Sequence, residues 1–221
     1  MIERTFLAGA SRGVGREIAR CLREKSLSVQ ALLRSENTRP ELEAMGIQVC
    51  VGDALNPDAV KQAMAGHSFQ AVISTIGGLP KDGQRADFLG NKNLIDAAVQ
   101  AGVQKFILVS SIGSGESATA LPPQAMETLR PVLIEKEQAE QHLIKSGLTY
   151  VIIRPGGLKS EPATGNGVLT PDPTVAGTIH RADVAQLVCE CLLSERADNR
   201  VLSAVDRNMV YGQADFEILT P

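Results

Sequence analysis

Short apolar runs alternate along the chain with stretches of helical period. Residues 5–8, 29–33, 48–51, 71–74, 106–109 and 150–153 are rich in Val, Ile, Leu and Phe. Several of them lack polar alternation, which is how strands covered on both faces read. Between the runs, Val14, Ile18 and Leu22 recur four apart. Asn56-Pro57 supplies an N-cap and a first-turn proline ahead of Val60 and Met64. Val184, Leu187, Val188, Cys191 and Leu192 form the apolar stripe of one helix face. Strand–helix–strand repetition of this kind specifies an α/β fold with a doubly wound parallel sheet between two helix layers.

Two segments break the rhythm. Residues 113–124 (GSGESATALPPQ) are small and polar and end in two prolines, and 158–177 are rich in Gly, Pro and Thr. Both follow expected strands, so both are read as irregular loops at the carboxyl edge of the sheet, where ligands bind in this architecture.

Composition narrows the class. With 221 residues, 43% of them hydrophobic, the chain suits one domain over 1–221. A net charge of −3 lacks the basic footprint of a nucleic-acid binder. No run reaches the ~18 apolar residues of a membrane span, and the first residues lack a signal-peptide pattern. The expectation is a cytoplasmic protein with no nucleic-acid or membrane partner; its oligomeric state is open, with a monomer favoured. Cys21, Cys50, Cys189 and Cys191 form no CxxC pair and read as reduced thiols. No His/Cys/Asp/Glu cluster has metal-ligand spacing, so no metal is expected.

The strongest motif follows the first strand: Gly9-Ala10-Ser11-Arg12-Gly13-Val14-Gly15, with a helix pattern directly after it. Gly9 can take the tight turn, Gly13 admits a pyrophosphate close to backbone, and Gly15 lets helix pack on sheet. The helix N-terminus offers unpaired N–H groups and a positive dipole end. Strand before, helix after and placement early in the chain make this a dinucleotide-binding fingerprint.

The loop AGASRGVG and the order of elements resemble the short-chain dehydrogenase/reductase superfamily, whose fold is a three-layer Rossmann domain. Within it the chain resembles the small atypical branch that holds NmrA-like proteins and biliverdin reductase B, also known as flavin reductase. The resemblance rests on VGDALNPDAV, VSSIGSG, HLIKSGLTYVIIRPGGL and IHRADVA. One departure is the loop spacing: atypical members usually carry GxxGxxG, whereas here Arg12 replaces the middle glycine and Gly13 follows.

Cofactor choice can be read after the second strand, where an NAD site places an acid about 20 residues past the loop. Here Arg34 and then Ser35 hold that place. Arg12 and Arg34 together favour a 2′-phosphate, and so NADPH. Glu36 lies beyond the strand end and is expected to face solvent. The resemblance implies that Asp53, with Ala54, meets the adenine, that Thr75, Ile76, Gly77 and Gly78 pass the ribose, and that the Pro155-Gly156-Gly157 turn holds the carboxamide through backbone N–H groups.

The superfamily's acid–base pair, Tyr-x-x-x-Lys, is absent. Lys136 resembles the retained lysine, but Val132 stands in the tyrosine's place. Ser110 and Ser111 end the fifth strand as the superfamily's serine does. Ser111 and Lys136 are therefore the candidate catalytic residues, with Lys136 and Ser110 also placed at the cofactor. Ser111, Ile112, Leu158 and His180 are the candidate substrate contacts. Three readings remain open: an NADPH-dependent reductase of a flat acceptor such as a flavin or a linear tetrapyrrole, an NADP(H)-sensing or scaffold protein of NmrA-like type, and a sugar-nucleotide or isomerase-type enzyme.

Overall fold

The structure is a computed structural model that describes residues 2–77, 84–212 and 215–221. Its strands are β1 (Arg4–Ala8), β2 (Ser28–Leu33), β3 (Gln48–Val51), β4 (Ala71–Ser74), β5 (Lys105–Val109), β6 (Thr149–Pro155), β7 (Gly157–Lys159), β8 (Gly167–Thr170), β9 (Ala176–His180), β10 (Arg200–Asp206) and β11 (Val210–Tyr211). Its helices are α1 (Gly13–Glu24), α2 (Arg39–Ala44), α3 (Pro57–Met64), α4 (Leu89–Gln100), α5 (Pro123–Ile144) and α6 (Arg181–Leu193). Eight strands form one sheet in the order β3-β2-β1-β4-β5-β6-β10-β8. Its pairings are parallel except the last, where β8 runs antiparallel to β10. The smaller sheet runs β11-β9-β7.

All six apolar runs became strands, and their alternate residues feed two cores, as the period of a strand requires. Leu7, Ala31, Ile73, Ile107 and Ile153 pack with Val14, Ile18 and Leu22 of α1 and with Val184 and Val188 of α6. Phe6, Ala8, Val72, Phe106 and Ile152 pack on the opposite face with Val60 of α3, Leu94 of α4 and Leu143 of α5. Each large side chain so buried contributes roughly 1.5–3 kcal/mol. Asn56 caps α3 by accepting from the N–H groups of Asp58 and Ala59 at 3.0 and 3.2 Å. The parallel doubly wound sheet is therefore present, flanked by helices on both faces.

The two expected irregular loops hold more order than their composition implied. Residues 158–177 contain most of β7, all of β8 and the start of β9. Their Gly-, Pro- and Thr-rich setting hid them, and they form because Val168, Val175 and Ala176 pack with Ile112 and Val205 in a third small core. Within 113–124, residues Gly115–Ala120 form a 3-10 turn and Pro123 opens α5. Among the described residues no helix is long and apolar enough to cross a membrane.

Candidate functional site

The sheet order reverses between β1 and β4, so the two loops that leave them diverge and open a crevice at the carboxyl edge. The glycine loop fills this place, and each glycine has its own reason. Gly9 sits at φ +96°, and a Cβ there would lie 2.3 Å from Thr75 Oγ1. A Cβ on Gly15 would stand 2.1 Å from the Gly9 carbonyl oxygen, so α1 can approach the loop only without one. Thr75 binds the arrangement to β4: its N–H donates to the Ala8 carbonyl at 3.0 Å. Gly13, at φ +58°, opens α1, and no side chain caps that helix. The first-turn N–H groups of Gly13, Val14 and Gly15 therefore lack helical partners. Val14's side chain is in the core, which leaves its backbone for a ligand. Arg16, which sequence reasoning passed over, holds the Ala10 and Ser11 carbonyls at 3.2 and 2.7 Å and pairs with Glu41. Its position on the first turn of α1 was the available signal.

Beyond the loop, Arg12, Arg34 and Ser35 are exposed. Neither arginine has an acidic partner among the described residues, and Ser35 makes no capping bond. Glu36 is different. Arg39 pairs with it, and that hydrogen bond holds its carboxyl below the usual range. The carboxylate of Glu36 is thus already matched by Arg39. Asp53 Oδ1 accepts from the Leu55 N–H at 2.9 Å, and its other oxygen has no partner among the described residues. The Ala54 carbonyl accepts from Asn93 at 2.8 Å, and Ser74, buried, donates to Asn91 at 2.6 Å. Ile76 is partly exposed above Gly90, where a Cβ would meet it at 2.9 Å. Gly77 is exposed at φ +146°; Gly78 lies outside the described residues.

These features meet the needs of a dinucleotide: an uncapped helix N-terminus, a Gly13 without a side chain, and two exposed arginines that lack acidic partners among the described residues. The residues present fit the group.

The acceptor half is arranged differently. Lys136 Nζ lies 3.1 Å from Asp87 Oδ1, and Asp87 is fully buried. A Cβ on Gly77 would collide with that same carboxylate at 2.3 Å. Lys136 thus stands under the β4 loop, its charge already compensated. Ser110, expected at the cofactor, instead donates its hydroxyl to Glu140 in the interior. Glu140 also takes Arg154 in two hydrogen bonds, at 3.2 and 2.6 Å, with both side chains buried. Arg154 supports the 113–121 wall from below, since a Cβ on Gly115 would stand 2.8 Å from its Nη2. Asp87, Glu140 and Arg154 were missed because a charged residue in a sequence reads as surface until the fold buries it.

Ser111 remains partly exposed, and its hydroxyl donates to the Ile112 carbonyl at 2.9 Å. Ile112 itself is a correction. It is 3% exposed and belongs to the third core, so its side chain does not line an open cleft. The Pro155-Gly156-Gly157 turn is a correction for two of its three residues: proline has no N–H, and the Gly156 N–H donates to the Ala204 carbonyl at 2.9 Å. Gly157 is exposed and stands in register with Thr178 in the small sheet. Gly156 is glycine because a Cβ would strike the Gly177 carbonyl at 2.2 Å. Leu158 is 40% exposed, the one aliphatic side chain of the expected wall that faces solvent.

His180 is buried, and its Nδ1 has no hydrogen-bond partner. The fold brings it together with Asp183 and Asp206, their ligand-type atoms within 4.8 Å of one another, a grouping that sequence spacing conceals. Both carboxylates already hold the 164–166 segment. Asp183 accepts from the N–H groups of Thr164 and Gly165, each at 2.9 Å, and Asp206 lies 2.5 Å from the Thr164 hydroxyl.

Comparison with known proteins agrees with this geometry. Residues 9–195 match the NAD(P)H-binding family. The anaerobilin reductase ChuY of Escherichia coli O157:H7 superposes with a TM-score of 0.84 at 32% identity, over 92% of this chain and 97% of that one. A chloroplastic protein of Arabidopsis thaliana is 35% identical over 93% of this chain and 77% of its own length. The sanguinarine reductase of Eschscholzia californica is 29% identical over 97% of this chain and 93% of its own.

Proposed function

We propose that this chain, which belongs to the NAD(P)H-binding family, is an NADPH-dependent reductase that acts on a flat, conjugated acceptor of the flavin or linear-tetrapyrrole class. One observation carries the reading: among the described residues, the cofactor end keeps cations without carboxylate partners, while neither Lys136, Ser111 nor a tyrosine stands as a free acid at the acceptor end. Lys136 is paired with Asp87, and the Ser111 hydroxyl is turned to a backbone carbonyl. Tyr150 stands inside β6, and Tyr211 lies in β11 of the small sheet. An alcohol–ketone dehydrogenase needs an acid at that place; an extended conjugated acceptor can take its proton from solvent.

Arg12 and Arg34 would hold the 2′-phosphate through charge-assisted bonds, and the α1 N-terminus the pyrophosphate. Asp53 and Ala54 would border the adenine, and Thr75, Ile76 and Gly77 the ribose. Lys136, fixed by Asp87, would position the cofactor without donating a proton. Bound there, the nicotinamide supplies the hydride. Ser111 would hold an ordered water and Leu158 would cover one face of the acceptor, so positioning provides most of the rate. The relatives named for reducing anaerobilin and sanguinarine support a reductase in general, and anaerobilin's tetrapyrrole nature supports the acceptor class. The four free cysteines suit a reducing compartment such as the cytoplasm.

The test is loss of NADPH absorbance in stopped flow, with FMN, FAD and biliverdin isomers offered in turn. Oxidation above background with one or more is expected. Tight NADPH binding with no oxidation by any acceptor would instead identify an NADP(H)-sensing protein.

A further inference from the structure

Arg181 opens α6, but its side chain reaches away from its own helix and lies over the phosphate loop. A Cβ placed on Gly13 would stand 3.7 Å from Arg181 Nε and 3.9 Å from its Cδ. On the other side, Nη1 donates to the Leu158 carbonyl at 3.3 Å and to the Ser160 hydroxyl at 2.7 Å. The guanidinium therefore spans from the α1 N-terminus to the segment that leaves β7.

Its charge is unmatched. Arg16, Arg39 and Arg154 each have a carboxylate, whereas Arg181 has none among the described residues. Its surroundings sharpen the imbalance. The N-terminus of α1 carries the positive end of a helix dipole and has no side-chain cap. Arg181 stands at the N-terminus of α6, which also has no side-chain cap. Asp183 in the first turn of α6 meets that helix's own positive end, so the repulsion left is between the α1 end and the guanidinium, which lacks a carboxylate among the described residues, until an anion lies between them. The anion the family brings to the α1 terminus is a pyrophosphate.

We propose that Arg181 is a second anchor for the cofactor's pyrophosphate and that it couples cofactor binding to the order of the 158–166 wall. A guanidinium has five N–H donors in a planar fork, so one edge can stay on Leu158 and Ser160 while the other takes phosphate oxygens. Binding of the dinucleotide then braces the wall that the acceptor must meet, and the acceptor follows the cofactor. This rests on the reading of the glycine loop as the pyrophosphate site, and it adds a residue that the loop motif does not contain.

Arg181→Gln should weaken NADPH and NADH by the same factor, roughly ten- to a hundredfold for lost bonds to a charged group. The pyrophosphate is common to both cofactors, so their ratio should stay as in the wild type. Arg181→Lys should recover only part of the loss. Hydrogen exchange gives a readout independent of turnover. NADP⁺ should protect 158–166 in the wild type and fail to do so in Arg181→Gln. Should that variant not fold, Ser160→Ala removes the shorter of the two wall bonds and should reduce the protection while cofactor affinity stays close to wild type. Wild-type affinity for both cofactors in Arg181→Gln, a loss confined to NADPH, or protection that survives in both variants would overturn the proposal. A wild-type protein that binds neither cofactor would overturn the glycine-loop reading itself, and that result is seen before any variant is made.

Discussion

At the β1–β3 end of the carboxyl edge, Arg12 and Arg34 stand exposed without acidic partners among the described residues. At the β5–β6 end, Lys136 is matched by Asp87 and Arg154 by Glu140, while Ser110 is also taken by Glu140. Desolvation separates the two regions. An exposed guanidinium is solvated by water and can wait for a ligand at little cost. A buried one loses several kcal/mol of hydration unless a partner of opposite charge is built in. On the proposed reading, the arginines without carboxylates would recognise the charged ligand, and the buried Arg154–Glu140 pair would hold the wall.

The largest effect that would test this contrast is expected in the acceptor half. Glu140→Ala leaves Arg154 buried and unpaired and should cost about 3–5 kcal/mol of stability, read as a fall in the urea midpoint. Affinity for NADPH should hardly change at a temperature where the variant is folded. Replacing both Glu140 and Arg154 with Met should restore most of the loss. If Glu140→Ala lowers cofactor affinity as much as stability, the division between the two regions is wrong.

Arg34→Ala should do the opposite. NADPH binding should weaken by roughly ten- to a hundredfold, as lost bonds to a charged group imply, NADH binding much less, and the urea midpoint not at all. Fluorescence titration with both cofactors measures it, and equal wild-type dissociation constants for NADPH and NADH would remove its basis. Lys136→Ala tests the border between the regions. A modest rise in KM for NADPH is expected, with every limb of the kcat–pH profile kept, because the ammonium is held by Asp87. Loss of a titration limb would make Lys136 a proton donor.

The smallest effect lies in the core, away from both regions. Burial pushes the Cys191 thiol up to about 12 from its ordinary value of 9.0. A pKa raised on folding stabilises fully below the unfolded value, so this contribution is whole under pH 9 and fades as pH rises toward 12. Urea titrations above pH 9 should show the wild type losing stability faster than Cys191→Val. In native protein Cys21 should react with a thiol reagent first: its hydrogen bond with Cys189 lowers its pKa, and it is half-buried.

Much of the molecule was legible in local pattern. The six apolar runs, the four-residue spacing of Val14, Ile18 and Leu22, and the Asn56-Pro57 cap are short-range properties, and the strands and helices follow them. The glycine loop was legible too, because Gly9 and Gly13 sit at positive φ and a strand-to-helix turn is set by neighbours in sequence. The absence of a Tyr-x-x-x-Lys pair is a property of the sequence alone. Contacts between distant residues were not legible. Glu140 meets Ser110 across 30 positions, Arg181 meets Leu158 across 23, and Gly156 faces Gly177. Ile112 looked like a cleft wall and became core because β8, β9 and β10 closed over it. Local periodicity decides which segments become strand or helix. Only the packed sheet decides which charges are buried, and burial determines which must find a partner and which stay free for a ligand.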